Sequence, residues 1–195
     1  MSLVDILDVA PSILVDLRYA TDDNFTGKAV YPPNARALVR KEVANELAKI
    51  QAELRRDGLG LKIWDAYRPF SVQEKFWKQM PDPLYLAQPI RGSKGEMLEG
   101  SMHSRGVAVD LTLVDSDGNN LEMPTEFDDF SERAHRTNQK ATERAKANRT
   151  RLEQIMTKHG FKGLASEWWH FDWHDSDYPL SDEPIVVSDD HKTLH

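Results

Sequence analysis

The chain has 195 residues, of which 29% are charged and 39% hydrophobic, and it carries a formal net charge of −7 with no cysteine. That length suits one domain with a sizeable core, and the acidic balance argues against a nucleic-acid partner, because neutralising phosphates needs a basic surface. Disulfides and thiolate ligands are excluded, so any metal site must use His, Asp and Glu, which suits zinc or a harder divalent ion.

The amino terminus does not have the pattern of a secretion signal. Acidic residues fall within residues 1–8, where a signal peptide needs a positive region followed by an unbroken apolar run. No stretch approaches the roughly 20 apolar residues of a membrane span, and no basic run indicates an anionic membrane surface. We therefore expect a cytoplasmic protein that binds neither membrane nor nucleic acid.

The first part of the chain contains one strongly amphipathic helix. Residues 13–19 have strand character, and residues 20–27 form a polar turn segment. In residues 38–56 the apolar side chains recur at the spacing of one buried helical stripe; they are Val39, Val43, Leu47, Ile50 and Leu54. The helix is predicted to stop at Asp57 and Gly58.

A strand, a second helix and a loop follow. Residues 59–66 have the character of a strand that leads into Tyr67-Arg68-Pro69. Ser71 and Glu74 have the spacing of a capping box, which predicts a helix from there to about Gln79. Residues 81–94 are rich in Pro, Gly and polar residues, and we expect a long loop there.

The next strand presents a carboxylate. Residues 107–114 alternate, with Val107, Val109, Leu111 and Leu113 on one face, so Asp110 lies on the less apolar face, where a site could form. Residues 115–118 predict the turn of a hairpin.

Two further elements are expected near the end of the chain. Residues 142–158 predict a charged helix that ends at Gly160, and residues 167–173 predict a final strand.

Two short segments together carry the ligands of a hydrolytic metal site. His103 and Asp110 flank Gly106, which lets the chain turn tightly enough for both side chains to reach one ion. Glu167 and His170 add a second imidazole and a carboxylate that is free to act as a base. A catalytic zinc needs this set: three protein ligands, an open position for water and a proton acceptor.

Glu167 and His170 have opposite parity in a regular strand and would face opposite sides of a sheet. Both can serve one site only if Glu167 precedes the strand or a bulge intervenes, and we expect the regular strand to begin after Glu167. The three tryptophans around His170 provide apolar walls, two of them as ordinary core residues; they are Trp168, Trp169 and Trp173.

Arg68 is a further candidate, because it lies where a strand ends and an Arg can donate to an oxyanion. The local spacing by itself equally fits a surface salt bridge. His174 is kept as a reserve ligand, whereas the other histidines lack a matching context; these are His135, His159, His191 and His195.

Taken together, these residues resemble the VanX-type D-alanyl-D-alanine dipeptidases, a branch of the zinc D,D-peptidases. The resemblance runs from about residue 14 to residue 173. Its segments are D-L-R-Y-A-T at 16–21, N-F-T-G at 24–27, W-D-A-Y-R-P at 64–69, the S-x-H-x-x-G-x-A-x-D element at 101–110, F-D at 127–128, S-E-R at 131–133 and E-W-W-H at 167–170. The Y-A-T and F-D segments point to the dipeptidase branch.

The resemblance implies an α+β fold with a central antiparallel sheet flanked by helices and one zinc ion per chain in a cleft at the sheet. It implies His103, Asp110 and His170 as zinc ligands, Glu167 as the catalytic base and Arg68 as the oxyanion stabiliser. It further implies that Ser101 and Asp128 hold the ends of the substrate dipeptide D-Ala-D-Ala, with Asp128 facing the ammonium. Pro124 departs from the family pattern just before Asp128, and residues 81–97 lack a pattern that can be matched.

Two other functions remain open from the sequence. A D,D-carboxypeptidase or murein endopeptidase would keep the same zinc core and accept longer peptides. A catalytically silent, metal-stabilised binding domain would need neither Glu167 nor Arg68. We expect a single domain over residues 1–195 with a surface tail at 181–195, and the sequence leaves the oligomeric state undetermined.

Overall fold

The computed structural model describes residues 2–174 and 177–186. Nine strands and four helices alternate along these residues. The strands are β1 (Leu3–Asp5), β2 (Leu14–Val15), β3 (Leu38–Arg40), β4 (Gly60–Asp65), β5 (Ile90–Arg91), β6 (Met97–Glu99), β7 (Ala108–Val114), β8 (Phe161–Gly163) and β9 (His170–Trp173). The helices are α1 (Ile6–Val9), α2 (Lys41–Leu54), α3 (Phe70–Gln79) and α4 (Glu143–Lys158).

The central sheet has five strands in the order β2-β4-β7-β9-β8. The pairs β4–β7, β7–β9 and β8–β9 are antiparallel, but β2 runs parallel to β4. The expected α+β class is confirmed, and the expectation of an antiparallel sheet is wrong at this edge. The reason is that the chain leaves β2 and returns through β3 and α2, a crossover long enough to bring β4 back in the same direction.

Strand β7 occupies the middle of the sheet. Its apolar and polar residues alternate as predicted, but its polar face is buried as well. All seven of its residues are buried, so both of its faces are covered. Asp110 is on the less apolar face, as predicted, but that face is an interior cleft and not an open surface. A carboxylate at 3% exposure needs compensating charge or hydrogen bonds from its neighbours.

Helix α2 follows the predicted apolar stripe closely. Its buried side chains include Val43, Leu47 and Ile50, and it ends through a 3-10 turn at Arg55–Asp57 into Gly58, whose φ is +69°. It begins at Lys41 instead of residue 38, because Leu38–Arg40 pairs with β1 as a strand. None of the helices in residues 2–174 and 177–186 is long and apolar enough to cross a membrane.

Helix α4 also has the predicted bounds. The side chain of Thr142 caps its first turn by accepting from the Ala145 amide, and the chain turns away at Gly160 with φ +85°. The short strand β8 follows immediately and was not anticipated from the sequence. Its edge position and three-residue length leave almost no periodicity to detect.

The predicted hairpin after β7 is only partly formed. The Asp115 carboxylate accepts from the amides of Asp117 and Asn119 and builds the turn. Strand pairing beyond it is reduced to a single bridge between Val114 and Asn120. The loop expected at residues 81–94 instead includes β5, which pairs with β6.

The chain segment at residues 177–186 packs along the start of α3. Asp182 accepts from the Ser71 amide at 2.7 Å, and the Ser181 carbonyl accepts from the Phe70 amide at 3.0 Å. The predicted helix is therefore present, but its predicted capping box is wrong, because no side chain of the helix caps its first turn. Ile185 is 4% exposed, so this part of the expected tail is packed, and residues 187–195 lie outside the described residues.

The external cap gives a stability prediction. We expect Asp182→Ala to lower the free energy of unfolding by about 1 kcal/mol, the usual effect of losing a side-chain cap. Asp182→Asn keeps the acceptor oxygen and should restore most of that loss. Ser71→Ala is the matched control and should change little, and urea denaturation measures all three. A larger loss for Ser71→Ala than for Asp182→Ala contradicts this assignment of the cap.

Candidate metal centre

Three side chains from two neighbouring strands and the preceding turn converge at the centre of the sheet. Asp110 on β7 lies directly opposite His170 on β9. His103 lies in the 3-10 turn His103–Arg105 just before β7. The His170 Nδ1 atom is 3.0 Å from Asp110 Oδ1, and His103 Nε2 is 3.2 Å from His170 Nδ1 and 3.4 Å from Asp110 Oδ1.

Gly106 makes this convergence possible. Its φ is +75°, and its amide donates to the His103 carbonyl at 3.0 Å, which closes the turn within three residues. A residue with a side chain adopts this left-handed conformation at a cost, and only glycine does so freely. The tight turn brings His103 back over the strand that carries Asp110.

A hydrogen-bond acceptor outside the group of three side chains orients each histidine. His103 Nδ1 is 2.6 Å from the carbonyl oxygen of Ala66, and His170 Nε2 is 2.9 Å from the carboxylate of Asp172. A carbonyl or carboxylate oxygen at that distance requires the ring nitrogen to carry its proton. His103 Nε2 and His170 Nδ1 therefore turn their lone pairs into the centre, as metal-bound imidazoles do.

We call His103 Nε2, His170 Nδ1 and Asp110 Oδ1 the three inner atoms. They repel one another unless a positive charge lies among them. Burial alone raises the pKa of Asp110, but the charges and hydrogen bonds of His103 and His170 outweigh it and hold that pKa well below its usual range. Burial lowers the pKa of His170, yet Asp172 and Asp110 raise it well above its ordinary value. In the chain alone, a proton supplies the positive charge that a metal ion can replace.

The donor set fits a small divalent cation. Separations of 3.0–3.4 Å between the inner atoms are close to the edge of a tetrahedron whose arms are about 2.0–2.1 Å long. Two imidazole nitrogens and one carboxylate oxygen are ligands that zinc accepts, and three ligands leave a fourth position open. His103, Asp110 and His170 are all buried, so a cation bound there is largely surrounded by protein.

Glu167 precedes β9, as predicted from its parity with His170. Its amide donates to the Leu164 carbonyl in the turn that enters the strand. Its Oε2 atom is 4.0 Å from His170 Nδ1, beside the inner atoms but outside their hydrogen-bonding contacts. Burial raises the pKa of Glu167 to about 8, and the charges of Asp110 and Asp128 add to this increase, although His170 opposes it.

Arg136 holds the turn that carries Glu167. Its Nε donates to the Leu164 carbonyl at 2.8 Å, and its Nη2 donates to the His170 carbonyl at 2.7 Å. The guanidinium lies 4.2 Å from the centre of the Phe171 ring. Burial lowers the pKa of Arg136 to about 10, so it stays protonated and the clamp persists at neutral pH.

Arg68 is buried in the same cleft, not on the surface. Its Nε and Nη2 donate to Asp65 at 3.0 and 2.7 Å, and its Nη1 donates to Gln73 at 2.8 Å. A guanidinium has five N–H groups, so these contacts leave one on each terminal nitrogen for a ligand. Nη2 lies 3.7 Å from Asp110 Oδ2, which places this cation beside the three converging side chains.

Besides Arg136, three supporting residues are missing from the sequence-based predictions. Asp65 is fully buried and accepts from Tyr31 at 2.7 Å as well as from Arg68, which fixes the arginine. Gln73 holds the other side of the guanidinium. Asp172 could have been found, because residues i and i+2 of a strand share a face and His170-Phe171-Asp172 therefore directs both polar side chains together. No local pattern marks Asp65 or Gln73 as partners of Arg68.

Ser101 and Asp128 both line this cleft. The Ser101 hydroxyl oxygen accepts from the His103 amide at 3.2 Å, so its proton is left to donate to another group. Asp128 has φ +60°, which Asp tolerates better than most residues. Its two oxygens accept from the Tyr19 hydroxyl at 3.1 Å and the Phe25 amide at 3.0 Å.

The altered loop before Asp128 still delivers its carboxylate to the cleft. The hydroxyl of Thr125, next to Pro124, accepts a hydrogen bond from Trp168 Nε1 at 2.9 Å, which connects this loop to the hydrophobic core. Burial raises the pKa of Asp128 to about 7, and the Phe25 amide opposes that shift. The adjacent Asp129 instead pairs with Arg133 and is not among the residues that line the cleft.

The cleft is small. Its cavity volume is about 190 Å³, below the roughly 300–1,000 Å³ of pockets that hold drug-sized ligands. Charged groups, Tyr19, Trp169 and residues 83–87 line it. A short polar molecule fits this space better than a long chain.

Other residues considered from the sequence lie elsewhere. Trp168 packs in the core, while Trp169 lines the cleft. His159 pairs with Glu46 on α2, and the reserve ligand His174 packs on Trp173. The converging group within the described residues is His103, Asp110 and His170 alone.

The comparisons with known proteins agree on one family. The sequence model of a peptidase family described as D-Ala-D-Ala dipeptidase (Peptidase M15) matches residues 1–188. The D-alanyl-D-alanine dipeptidase of Escherichia coli K12 is 42% identical over 179 residues, which cover 91% of this chain and 88% of that protein. The enzymes of the same name from Enterococcus faecium and Enterococcus faecalis are 36% and 38% identical; they match 89% and 84% of this chain and 92% and 87% of their own lengths.

The partner of His170 gives a test of the metal centre. We expect Asp172→Ala to weaken Zn2+ binding by about 10- to 100-fold, because the imidazole loses the acceptor that fixes its orientation. Competition with a chromophoric chelator measures the affinity. Asp115→Ala, a change in the turn at the far end of β7, is the control and should leave it unaltered. Equal affinities for Asp172→Ala and the unmodified protein contradict a role for Asp172 in orienting a ligand.

Proposed function

The chain belongs to the D-Ala-D-Ala dipeptidase family, and from this premise we propose that it hydrolyses the dipeptide D-Ala-D-Ala to free D-alanine with zinc. The observation that carries the proposal is one buried cleft that holds three convergent ligand atoms, a carboxylate beside them and an arginine. A metal held only for stability needs neither of the last two.

The proposed ligands are His103 through Nε2, His170 through Nδ1 and Asp110 through its carboxylate, with one zinc ion per chain. When bound, zinc supplies Lewis-acid activation of water and of the peptide carbonyl. The chain contributes the orientation of both imidazoles through Ala66 and Asp172. It also contributes a buried environment in which charges act strongly on one another.

Glu167 is the proposed general base. Its Oε2 takes a proton from the attacking water and returns it to the departing amine, which are the two proton transfers that peptide hydrolysis requires. A base must be ionised before it accepts a proton, and a positive charge at the ligand group favours the ionised form of Glu167 against the effect of burial.

Arg68 is the proposed donor to the oxyanion that forms on the carbonyl. Its two remaining N–H groups are held in place by Asp65 and Gln73, so donation needs little reorganisation. Asp128 accepts from the substrate ammonium, and the Ser101 hydroxyl donates to the substrate carboxylate. These two contacts orient the dipeptide and account for a preference for a free amino terminus.

A carboxypeptidase acting on longer, blocked peptides is the alternative that the first experiment separates. Zinc-loaded protein is incubated with D-Ala-D-Ala and, in parallel, with N-acetyl-D-Ala-D-Ala, and released alanine is quantified. We expect release from the free dipeptide only. Release from the acetylated peptide as well shifts the assignment to a carboxypeptidase, and no release from either overturns the proposed reaction. The cytoplasmic location expected from the sequence stays a prediction.

The base is tested by substitution. We expect Glu167→Gln to lower kcat by about 10² to 10⁴ while zinc stays bound, because the amide has nearly the same shape but cannot accept the proton. Zinc content by atomic absorption and turnover of D-Ala-D-Ala are measured on the same sample. Glu126→Gln, a change at an exposed carboxylate, is the control. Near-normal turnover by Glu167→Gln removes this residue from the mechanism.

The pH dependence tests the ammonium contact. Because burial raises the pKa of Asp128 to about 7, the carboxyl is neutral below that pH and loses its attraction for the ammonium. We expect kcat/KM for D-Ala-D-Ala, divided by that for N-propionyl-D-alanine, to fall about 25-fold from pH 7.5 to 5.5, because the ionised fraction of a group with this pKa falls from about three quarters to about 3%. The second substrate has the same shape without the amine, so titrations of the metal site and of Glu167 cancel.

Asp128→Asn serves as the control for that profile. The amide does not titrate, so we expect a low ratio that stays flat over the same pH range. A ratio that still falls in Asp128→Asn means that another group binds the ammonium.

A further inference from the structure

One wall of the cleft is a short, hydrogen-bonded turn, which we call the wall segment (residues 82–87). Most of it lines the cleft directly. The Leu84 amide donates to the Asp82 carboxylate at 2.9 Å, and the Leu86 amide donates to the Asp82 carbonyl at 2.9 Å. Leu84 is 53% exposed, so this side chain contributes little packing, and the position of the turn depends on contacts with the rest of the protein.

Ser166 fixes one end of the wall segment. Its hydroxyl donates to the Leu84 carbonyl at 2.9 Å, across 82 positions of sequence. Ser166 is itself 3% exposed and immediately precedes Glu167. The turn that carries the proposed base therefore also holds the wall.

Gln73 on α3 fixes the other end. Its Nε2 donates to the Ala87 carbonyl at 2.8 Å, while its Oε1 accepts from Arg68 Nη1 at 2.8 Å. Gln73 is fully buried, and its hydrogen bond with Arg68 is buried, while the one to the Ala87 carbonyl is partly buried. Loss of either bond would leave a buried polar group of Gln73 unpaired, which makes this connection costly to open.

The middle of the wall segment is held by packing. The Tyr85 ring lies 5.1 Å from the Phe130 ring, two residues beyond Asp128, and Leu86 is 5% exposed within the core. The wall segment is thus tied to both sides of the cleft, to the loop of Asp128 and to the turn of Glu167. Its position therefore helps to set the size of the cleft.

We propose that Ser166 and Gln73 are positioning residues for substrate length, because they fasten the wall segment at a fixed distance across the cleft and so exclude peptides of three or more residues. The proposal rests on the proposed function for its substrate. Neither residue touches the reacting atoms: Ser166 acts through Leu84, and Gln73 acts through Ala87 and Arg68.

The test compares Ser166→Ala and Gln73→Met with the unmodified zinc-loaded protein. The readout is kcat/KM for D-Ala-D-Ala divided by that for D-Ala-D-Ala-D-Ala. We expect each substitution to lower this ratio about tenfold, because a loosened wall admits the third residue. Gln73→Met also releases Arg68, so its turnover of both peptides falls, whereas the ratio still reports the wall alone.

Gln51→Met is the matched control. Gln51 is a buried glutamine on α2 that, like Gln73, makes two hydrogen bonds through its side-chain amide. It donates to the Ser12 carbonyl and accepts from the Leu61 amide, and it does not line the cleft. Its substitution costs comparable stability and should leave the length ratio unchanged. A ratio that is unaltered in both Ser166→Ala and Gln73→Met overturns the proposal, as does an unmodified protein that cleaves the tripeptide as fast as the dipeptide.

A second readout needs no activity. Amide hydrogen exchange is followed by mass spectrometry on peptides covering residues 82–88 of the full chain. We expect exchange there to be about tenfold faster in Ser166→Ala and in Gln73→Met but unchanged in Gln51→Met. Unaltered exchange in the first two overturns the fastening of the wall whatever the protein cleaves. Faster exchange in a protein inactive on D-Ala-D-Ala supports the fastening and places the failure in the proposed substrate.

Discussion

Compensation of buried charge is the constraint on which the rest of the site depends. The carboxylates of Asp110, Glu167 and Asp128 share one small cleft with a single guanidinium, and a buried charge persists only when it is paired. Protons make up part of the deficit, as the raised pKa values of Glu167 and Asp128 indicate. The two cations of the proposed reaction are zinc and the substrate ammonium, and each can replace a proton in neutralising these carboxylates. The same excess of negative charge therefore favours the binding of both cations.

The residues around the site fix the orientation of the side chains that carry these charges or bind cations. Ala66 and Asp172 determine which nitrogen of each imidazole faces inward, and Asp65 fixes the arginine. These partners lie on or directly after strands of the central sheet, which move less than loops and hold side chains more accurately. The buried hydrogen bonds are costly to break singly, because each break leaves a polar group unpaired.

Local patterns predicted those parts of the molecule that depend on local interactions. The helical stripe of α2, the bounds of α4 and the start of β9 after Glu167 all follow from local patterns of spacing, turn residues and parity. Long-range contacts determined what the sequence analysis missed: the parallel pairing of β2, the capping of α3 by Asp182 and the partnership of Gln73 with Arg68. None of these leaves a periodic trace in the chain, because the residues that meet have no fixed separation in sequence.

The position of β9 has a consequence for how the site assembles during folding. Among the strands of the described residues, β9 comes last in the sequence, yet it lies between β7 and β8 and joins β8 to the rest of the sheet. It also carries His170, one of the three converging side chains. Until β9 pairs with β7, His103 and Asp110 lack their third partner and the central sheet is incomplete. Completion of the sheet and assembly of the proposed metal centre are therefore the same folding step.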